Sequence, residues 1–409
     1  MKKRIFVRIL ALILTAFLTA PMVSYAQGGE YETIKVGLFY GSTQKQAVTL
    51  ACPAGFTIGF LEDGVFSEVS GLIETEIRVV ANPDGTVVID GIFANDTGRP
   101  LAVYPAAGNL TVDGTEYRGA IEFLWKNGAL TVINNVNLDQ YLYSVLGAEM
   151  SPSWHIEALK AQAICARTYA ANNWNKHASD GFSLCTTTHC QVYNGVKGEA
   201  DSTRRASDET SGQMVKYEGE NAQVFFFASS GGTTANVKYV WGSEYPYLSG
   251  VDDPYEDPAT ASYATWTETL TAEETRQKLA ASGVDIGAVK DVAVTGIDGE
   301  TVYEVTITGE TGTHVLKNEK VRTFFGLRSQ NYKLVPQIGG SVVANWDLVR
   351  RMAMGESISS LFGTGTYVFS GKGWGHRVGM SQCGAKGMAE HGFNAQQILE
   401  HYFPGAYVE

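Results

Sequence analysis

Residues 136–170 read VNLDQYLYSVLGAEMSPSWHIEALKAQAICARTYA. The change of period inside this stretch decides the fold class. Strand-like alternation ends at Val136, and helical spacing begins at Leu138. Tyr141, Leu142, Val145 and Leu146 fall on one stripe, with Asn137 as N-cap. Ser151-Pro152 then stops one helix and starts another, Ser as N-cap and Pro at the first position. The second helix is expected from about Pro152 to His177. Its apolar face is Ile156, Leu159, Ala163, Ala166 and Tyr169 or Ala170, and its alanines allow close approach by a neighbour. Between the two helices stands one carboxylate, Glu149.

Upstream, TIKVGLFY, AVTLAC, FTIGFL, EIRVVA and TVVIDGIF read as strands broken by turn residues. AIEFLWKNGALTVINNV alternates, breaks at Asn127-Gly128 and alternates again, which is a hairpin signal. Downstream, QMVKYEGENAQVFFFASSGG reads as strand, turn and strand. TAEETRQKLAASG reads as a helix, and VKDVAVTGIDGETVYEVTITGETGTHVLKN as three strands. A Gly-rich loop and two helical segments close the chain. No internal repeat or low-complexity segment is present. Strands, helices, strands, helices is an α+β order, a strand-rich body with a helical segment, and not a doubly wound parallel sheet. The expected division is residues 1–26 as a leader, 27–136 as a strand-rich part and 137–409 as a core, the last two being possible as one unit.

The leader expectation rests on Lys2, Lys3 and Arg4, an apolar run, and the small-x-small site Ser24-Tyr25-Ala26. The same run could stay uncleaved as a membrane anchor. Either way the remainder is exported. The chain has 409 residues and a net charge of −12, which becomes −16 once the four basic residues of the leader are removed. That balance argues against nucleic-acid binding through phosphates and leaves a neutral carbohydrate open.

Glu149 has only uncharged neighbours, Leu146, Gly147, Ala148, Met150 and Trp154. Apolar walls and the negative end of a helix both disfavour its ionised form. That suits a proton-donating acid; a solvated glutamate at a helix end is the plain reading. The five cysteines do not form a disulfide framework. Cys165 reads as a small core residue. His177, Cys185, His189 and Cys190 admit three readings: a tetrahedral zinc set, a Cys185–Cys190 disulfide, or free thiols beside a chance histidine. The serines and glycines of FFFASSGGTT could hold sugar hydroxyls or simply end a strand; the G-x-S-x-G elbow is absent. In GKGWGHRVGMSQCGAKGMA the glycine spacing does not fit a dinucleotide site, and a sugar-binding or structural loop fits better.

Together the helical stretch, CQVYNG, FFFASSGGTTANVKYVWGSEYPYL, GLRSQNYKL and GKGWGHRVGMSQCGAKGMAEHGFNAQQILEHYFPGAY occur in one order. In this the chain resembles the stage II sporulation protein D / LytB domain family, from about Ile34 to Tyr407. The resemblance implies a peptidoglycan lytic transglycosylase of sporulation and engulfment. Such an enzyme cleaves the MurNAc-GlcNAc bond of peptide-stripped glycan strands and leaves 1,6-anhydroMurNAc ends. It implies Glu149 as the acid, and structural zinc held by His177, Cys185, His189 and Cys190. Arg167, Tyr193, Ser229, Ser230, His376 and Gln382 follow as groove-lining residues. A cell-wall amidase is the implied partner, and the cell wall or the space between forespore and mother cell the implied location. The alternative within the resemblance is a LytB-type protein that binds glycan and enhances an N-acetylmuramoyl-L-alanine amidase without chemistry of its own.

Overall fold

The computed structural model describes residues 31–409 except 63, 96–97, 258–264 and 337–364. The leader or anchor expected at residues 1–26 lies outside them. The fold is α+β, as the order of periods implies. A seven-stranded sheet runs in the order Leu184–Cys185, Thr33–Phe39, Ala129–Asn137, Ala120–Lys126, Leu101–Pro105, Phe56–Glu62 and Val65–Leu72. Its pairs are antiparallel except that Leu184–Cys185 joins Thr33–Phe39 in parallel. A six-stranded antiparallel sheet, centred on Ala47–Ala51 and Glu76–Ala81, shares its core.

The Asn127-Gly128 hairpin forms as its sequence demands. Both turn residues have positive φ, 55° and 84°, and Lys126 pairs with Ala129. That geometry matches the right-handed twist of the two flanking strands. Ala129–Asn137 then runs straight into helix α1, Leu138–Glu149. The Asn137 side chain caps it, accepting from the N–H groups of Asp139 and Gln140 at 2.9 and 3.3 Å.

Helix α2 spans Ile156–Asn172, shorter at both ends than the sequence implies. Ser151 is not its cap. The Ser151 hydroxyl bonds Ser153, and the turn Ser151–Trp154 lies between the helices. His155 caps instead, its Nδ1 accepting from Glu157 N–H at 3.3 Å. His177 falls beyond the helix, at the start of the turn Ala178–Asp180.

Among the described residues three buried clusters organise the chain. The first fills the two large sheets and takes in Tyr141, Leu142 and Val145 of α1 and Ala166 and Ala170 of α2. It therefore contains residues from both sides of position 137. The second surrounds Leu146, Met150 and the alanine face of α2, with Val378, Met380, Ala385, Ile398 and Phe403. The third lies within a lobe of strands and short helices between Thr265 and Lys372, around Val302, Val305, Ile307 and Phe369. Its strands Val289–Asp298, Thr301–Gly309 and Thr313–Lys317 and its helix Ala272–Ala281 were readable in sequence; the strands Thr265–Thr271, Tyr332–Pro336 and Thr366–Lys372 and its separate core were not.

One glycine sets how α1 docks. A Cβ on Gly147 would stand 2.0 Å from the carbonyl oxygen of Gly198. A methyl group there must push backbone, not a flexible side chain. The Gly147→Ala variant is expected to lose about 1–3 kcal/mol of stability, the range for overpacking, checked by urea unfolding.

Candidate functional site

Glu149 is the last residue of α1, and Met150 leaves the helix in an extended conformation. Its carboxyl faces the first residue of the Gln382–Glu390 helix. Gln382 Nε2 donates to Glu149 Oε2 at 3.0 Å. Burial raises the Glu149 pKa, and the Gln382 amide opposes this by favouring the carboxylate. Among the described residues no cation and no second carboxylate contributes to the shift. Glu157, the acid nearest in sequence, is engaged elsewhere: it accepts from Ala395 N–H at 2.9 Å and bonds Lys160. The result is a carboxyl group inclined to hold its proton, fixed through one oxygen by a neutral donor.

Of the other residues expected at the groove, only Gln382 touches Glu149. Arg167 is buried in a brace. Its Nε and Nη2 bond Asp139 Oδ1 at 3.0 and 2.7 Å, and its remaining donors reach the carbonyls of Gln213 and Ser207. Asp139 lies in the first turn of α1, so this brace stands about 15 Å along the helix axis from Glu149. Tyr193 is buried in the first core, its hydroxyl donating to Asn134 Oδ1 at 2.8 Å. His376 sits among Phe225, Phe227 and Trp241, with Nδ1 accepting from Val378 N–H. Burial takes its pKa down to about 4, which leaves the ring neutral.

Ser229 and Ser230 are fully buried around a carboxylate absent from the sequence reading. Both hydroxyls donate to Glu256, as do the N–H groups of Ser230 and Gly231 at 2.9 and 3.1 Å. Arg377, also fully buried, donates to the carbonyls of Ser230 and Thr233 and to Thr301 in the third lobe. The acidic run around Glu256 reads locally as a turn, and nothing adjacent points to the serines it binds.

The four expected metal ligands do converge. Donor atoms of His177, Cys185, His189 and Cys190 all lie within 4.8 Å of one another. His189 Nδ1 is 3.3 Å from His177 Nε2, 3.7 Å from Cys185 Sγ and 3.6 Å from Cys190 Sγ. A zinc tetrahedron with bonds of about 2.0–2.1 Å to N and 2.3 Å to S has N–N edges of about 3.3 Å and N–S edges of about 3.6 Å. The donor set fits. His177 Nδ1 faces Asp180 Oδ2 at 3.4 Å, the outer-shell carboxylate typical of a ligating histidine. Cys185 and Cys190 are not joined to each other.

The sequence profile of the stage II sporulation protein SpoIID matches residues 126–217, which hold Glu149 and all four cluster residues. Stage II sporulation protein D of Bacillus subtilis is 30% identical over 294 residues, 68% of this chain and 75% of that one. The chain belongs to the stage II sporulation protein D family. An uncharacterized protein of Brachyspira hyodysenteriae is 30% identical over 338 residues, 81% of this chain and 84% of that one. The amidase enhancer of Bacillus subtilis is 29% identical over 332 residues; the match covers 74% of this chain and 45% of the enhancer.

Removing the Arg167 side chain leaves Asp139, among the described residues, with the Ser211 hydroxyl alone and takes a donor from the Gln213 and Ser207 carbonyls. Arg167→Met is expected to cost about 3 kcal/mol, the low end of the range for breaking a buried pair, measured by chemical denaturation.

Proposed function

We propose that this protein is an exported cell-wall enzyme of sporulation that cleaves peptide-stripped glycan strands by lytic transglycosylation. The observation that carries the reading is Glu149: desolvated, bonded through one oxygen to neutral Gln382, and free of charged partners among the described residues that shift it. Protonated Glu149 donates to the glycosidic oxygen leaving N-acetylmuramic acid, and positive charge develops at C1. The resulting carboxylate takes the proton of the sugar's own C6 hydroxyl. That oxygen closes on C1 to give the 1,6-anhydro end. Ordinary glycosidases use two carboxylates, one of them to activate water or attack the sugar. An internal hydroxyl needs one group acting first as acid and then as base, which is what the surroundings of Glu149 supply. No helix among the described residues is long and apolar enough to cross a membrane.

His177, Cys185, His189 and Cys190 would hold zinc structurally, because four protein ligands leave no open coordination position. The ion would pin the turn after α2 to the edge strand Leu184–Cys185. A second reading is favoured by the match to the amidase enhancer. On it the chain binds glycan and stimulates a separate amidase.

Mass spectrometry of stripped-glycan digests separates the two. Wild-type protein is expected to yield anhydro-muramyl ends, and Glu149→Gln to lose about 10²–10⁴-fold in rate. Absence of these ends with wild type, together with undiminished amidase stimulation by Glu149→Gln, leaves only the enhancer reading. The pH sign follows from the donor role. Activity is present while Glu149 is protonated and falls as pH rises through its raised pKa. Gln382→Leu removes the bond that favours the carboxylate, so the alkaline limb of kcat is expected at higher pH.

Metal analysis is expected to find one zinc per chain, absent in Cys185→Ser, whose Tm falls by about 5 °C or more. Two reactive thiols with no zinc and an unchanged Tm would count against the metal.

A further inference from the structure

Two of the motifs meet at a place that the acid chemistry does not use. Trp374, from GKGWGHRVG, is 40% exposed. The guanidinium of Arg328, from GLRSQNYKL, lies over its ring, 4.8 Å from the centroid. The backbone beneath is tightly held. Trp374 and Ser229 exchange two N–H···O bonds of 2.8 and 3.2 Å. Gly375 N–H donates to the Arg328 carbonyl at 2.9 Å, and Trp266 Nε1 to the Gly373 carbonyl at 3.0 Å.

The flanking glycines make this possible. Gly373 and Gly375 have φ of 75° and 108°, and a Cβ on either would come within 2.7 Å of the Ser229 carbonyl oxygen or 2.8 Å of Phe227 Cβ. The loop therefore packs backbone inward and presents the indole outward. An exposed aromatic on so fixed a support is preorganised to bind.

Arg328 supplies charge at the same spot. Among the described residues its one acidic neighbour is Glu268, with Nε 3.7 Å from Oε1, too far for a hydrogen bond. Its planar fork of donors matches a carboxylate. The pair also stands close to the proposed acid. Strand Phe226–Phe227 pairs in parallel with Met380–Ser381, and just beyond it Ala228 accepts from Cys383 N–H while Ser229 bonds Trp374. Gln382 and Trp374 thus both adjoin the one segment Phe226–Ser229.

We propose that Trp374 and Arg328 form a glycan subsite beside Glu149, specific for a sugar unit that carries a free carboxylate. The indole takes the C–H face of a ring, and Arg328 pairs with the carboxylate. In peptidoglycan stripped of its stem peptides the lactyl group of muramic acid ends in such a carboxylate. With the stem attached it is an uncharged amide. The subsite therefore selects stripped strands. It rests on the glycan reading above, but not on the cleavage step.

The test uses full-length Glu149→Gln protein, so that binding is read without turnover. Calorimetry compares three probes of equal length: stripped glycan fragments, fragments with stem peptides, and chitin oligosaccharides, which lack the carboxylate. Trp374→Ala is expected to weaken stripped-glycan binding about tenfold, and Trp374→Phe to recover part of it. Arg328→Ala is expected to bring all three probes to one affinity. Unchanged affinity in Trp374→Ala, or a stripped-glycan preference that survives Arg328→Ala, overturns the proposal. If these losses appear but wild type forms no anhydro ends, cleavage falls and the subsite stands. If anhydro ends form while both variants bind as wild type, the subsite falls and cleavage stands.

Discussion

The hydrogen bond from Gln382 to Glu149 joins residues 233 positions apart, and much of the second core serves to hold its two ends. One end is the C-terminus of a helix packed through Leu146. The other is the N-terminus of a helix packed through Ala385 and Met388. Because the donor is an amide and not an ammonium, it fixes the carboxyl without adding a charge that would force ionisation. Gly384 shows how little slack there is. A Cβ at that position would fall 2.0 Å from the Tyr402 hydroxyl and 2.3 Å from Asp253.

What the sequence disclosed was what short-range physics decides. The Asn137 cap and the Asn127-Gly128 turn each involve groups two to four residues apart, and each formed where the pattern placed it. The start of α2 failed for a local reason as well. Ser151 had a nearer partner in Ser153, and His155 offered a ring nitrogen as acceptor, a rarer cap than Ser.

The polar residues of the motifs were misplaced for a different reason. Arg167, Tyr193, Ser229 and Ser230 are groove residues only as the resemblance implies them, through the motifs in which they stand. Each is instead buried and satisfied by a distant partner: Asp139, Asn134 or Glu256. Buried polar groups must find such partners, but sequence order does not name them. The cysteine–histidine cluster lies between these cases. Its composition was visible. The bend that lets the adjacent His189 and Cys190 face one point was not; it comes from Thr187, which accepts from both their N–H groups.

The third lobe enters through Thr265–Thr271 and leaves through Thr366–Lys372, and these strands pair antiparallel along their whole length. Its two ends are therefore side by side. To the rest of the chain the lobe is a closed hairpin, and the entropy of bringing its ends together is met by that pairing rather than by the second core. Length can change at its far edge without altering the distance between Trp241 and Gln382. The lobe is tied down by the Arg377 bond to Thr301, by the bonds of Trp241 and Val240 to Glu319, and by the return of Lys372 into the Trp374 loop. A change of length beyond that pairing would leave the segment that carries Gln382 in its register.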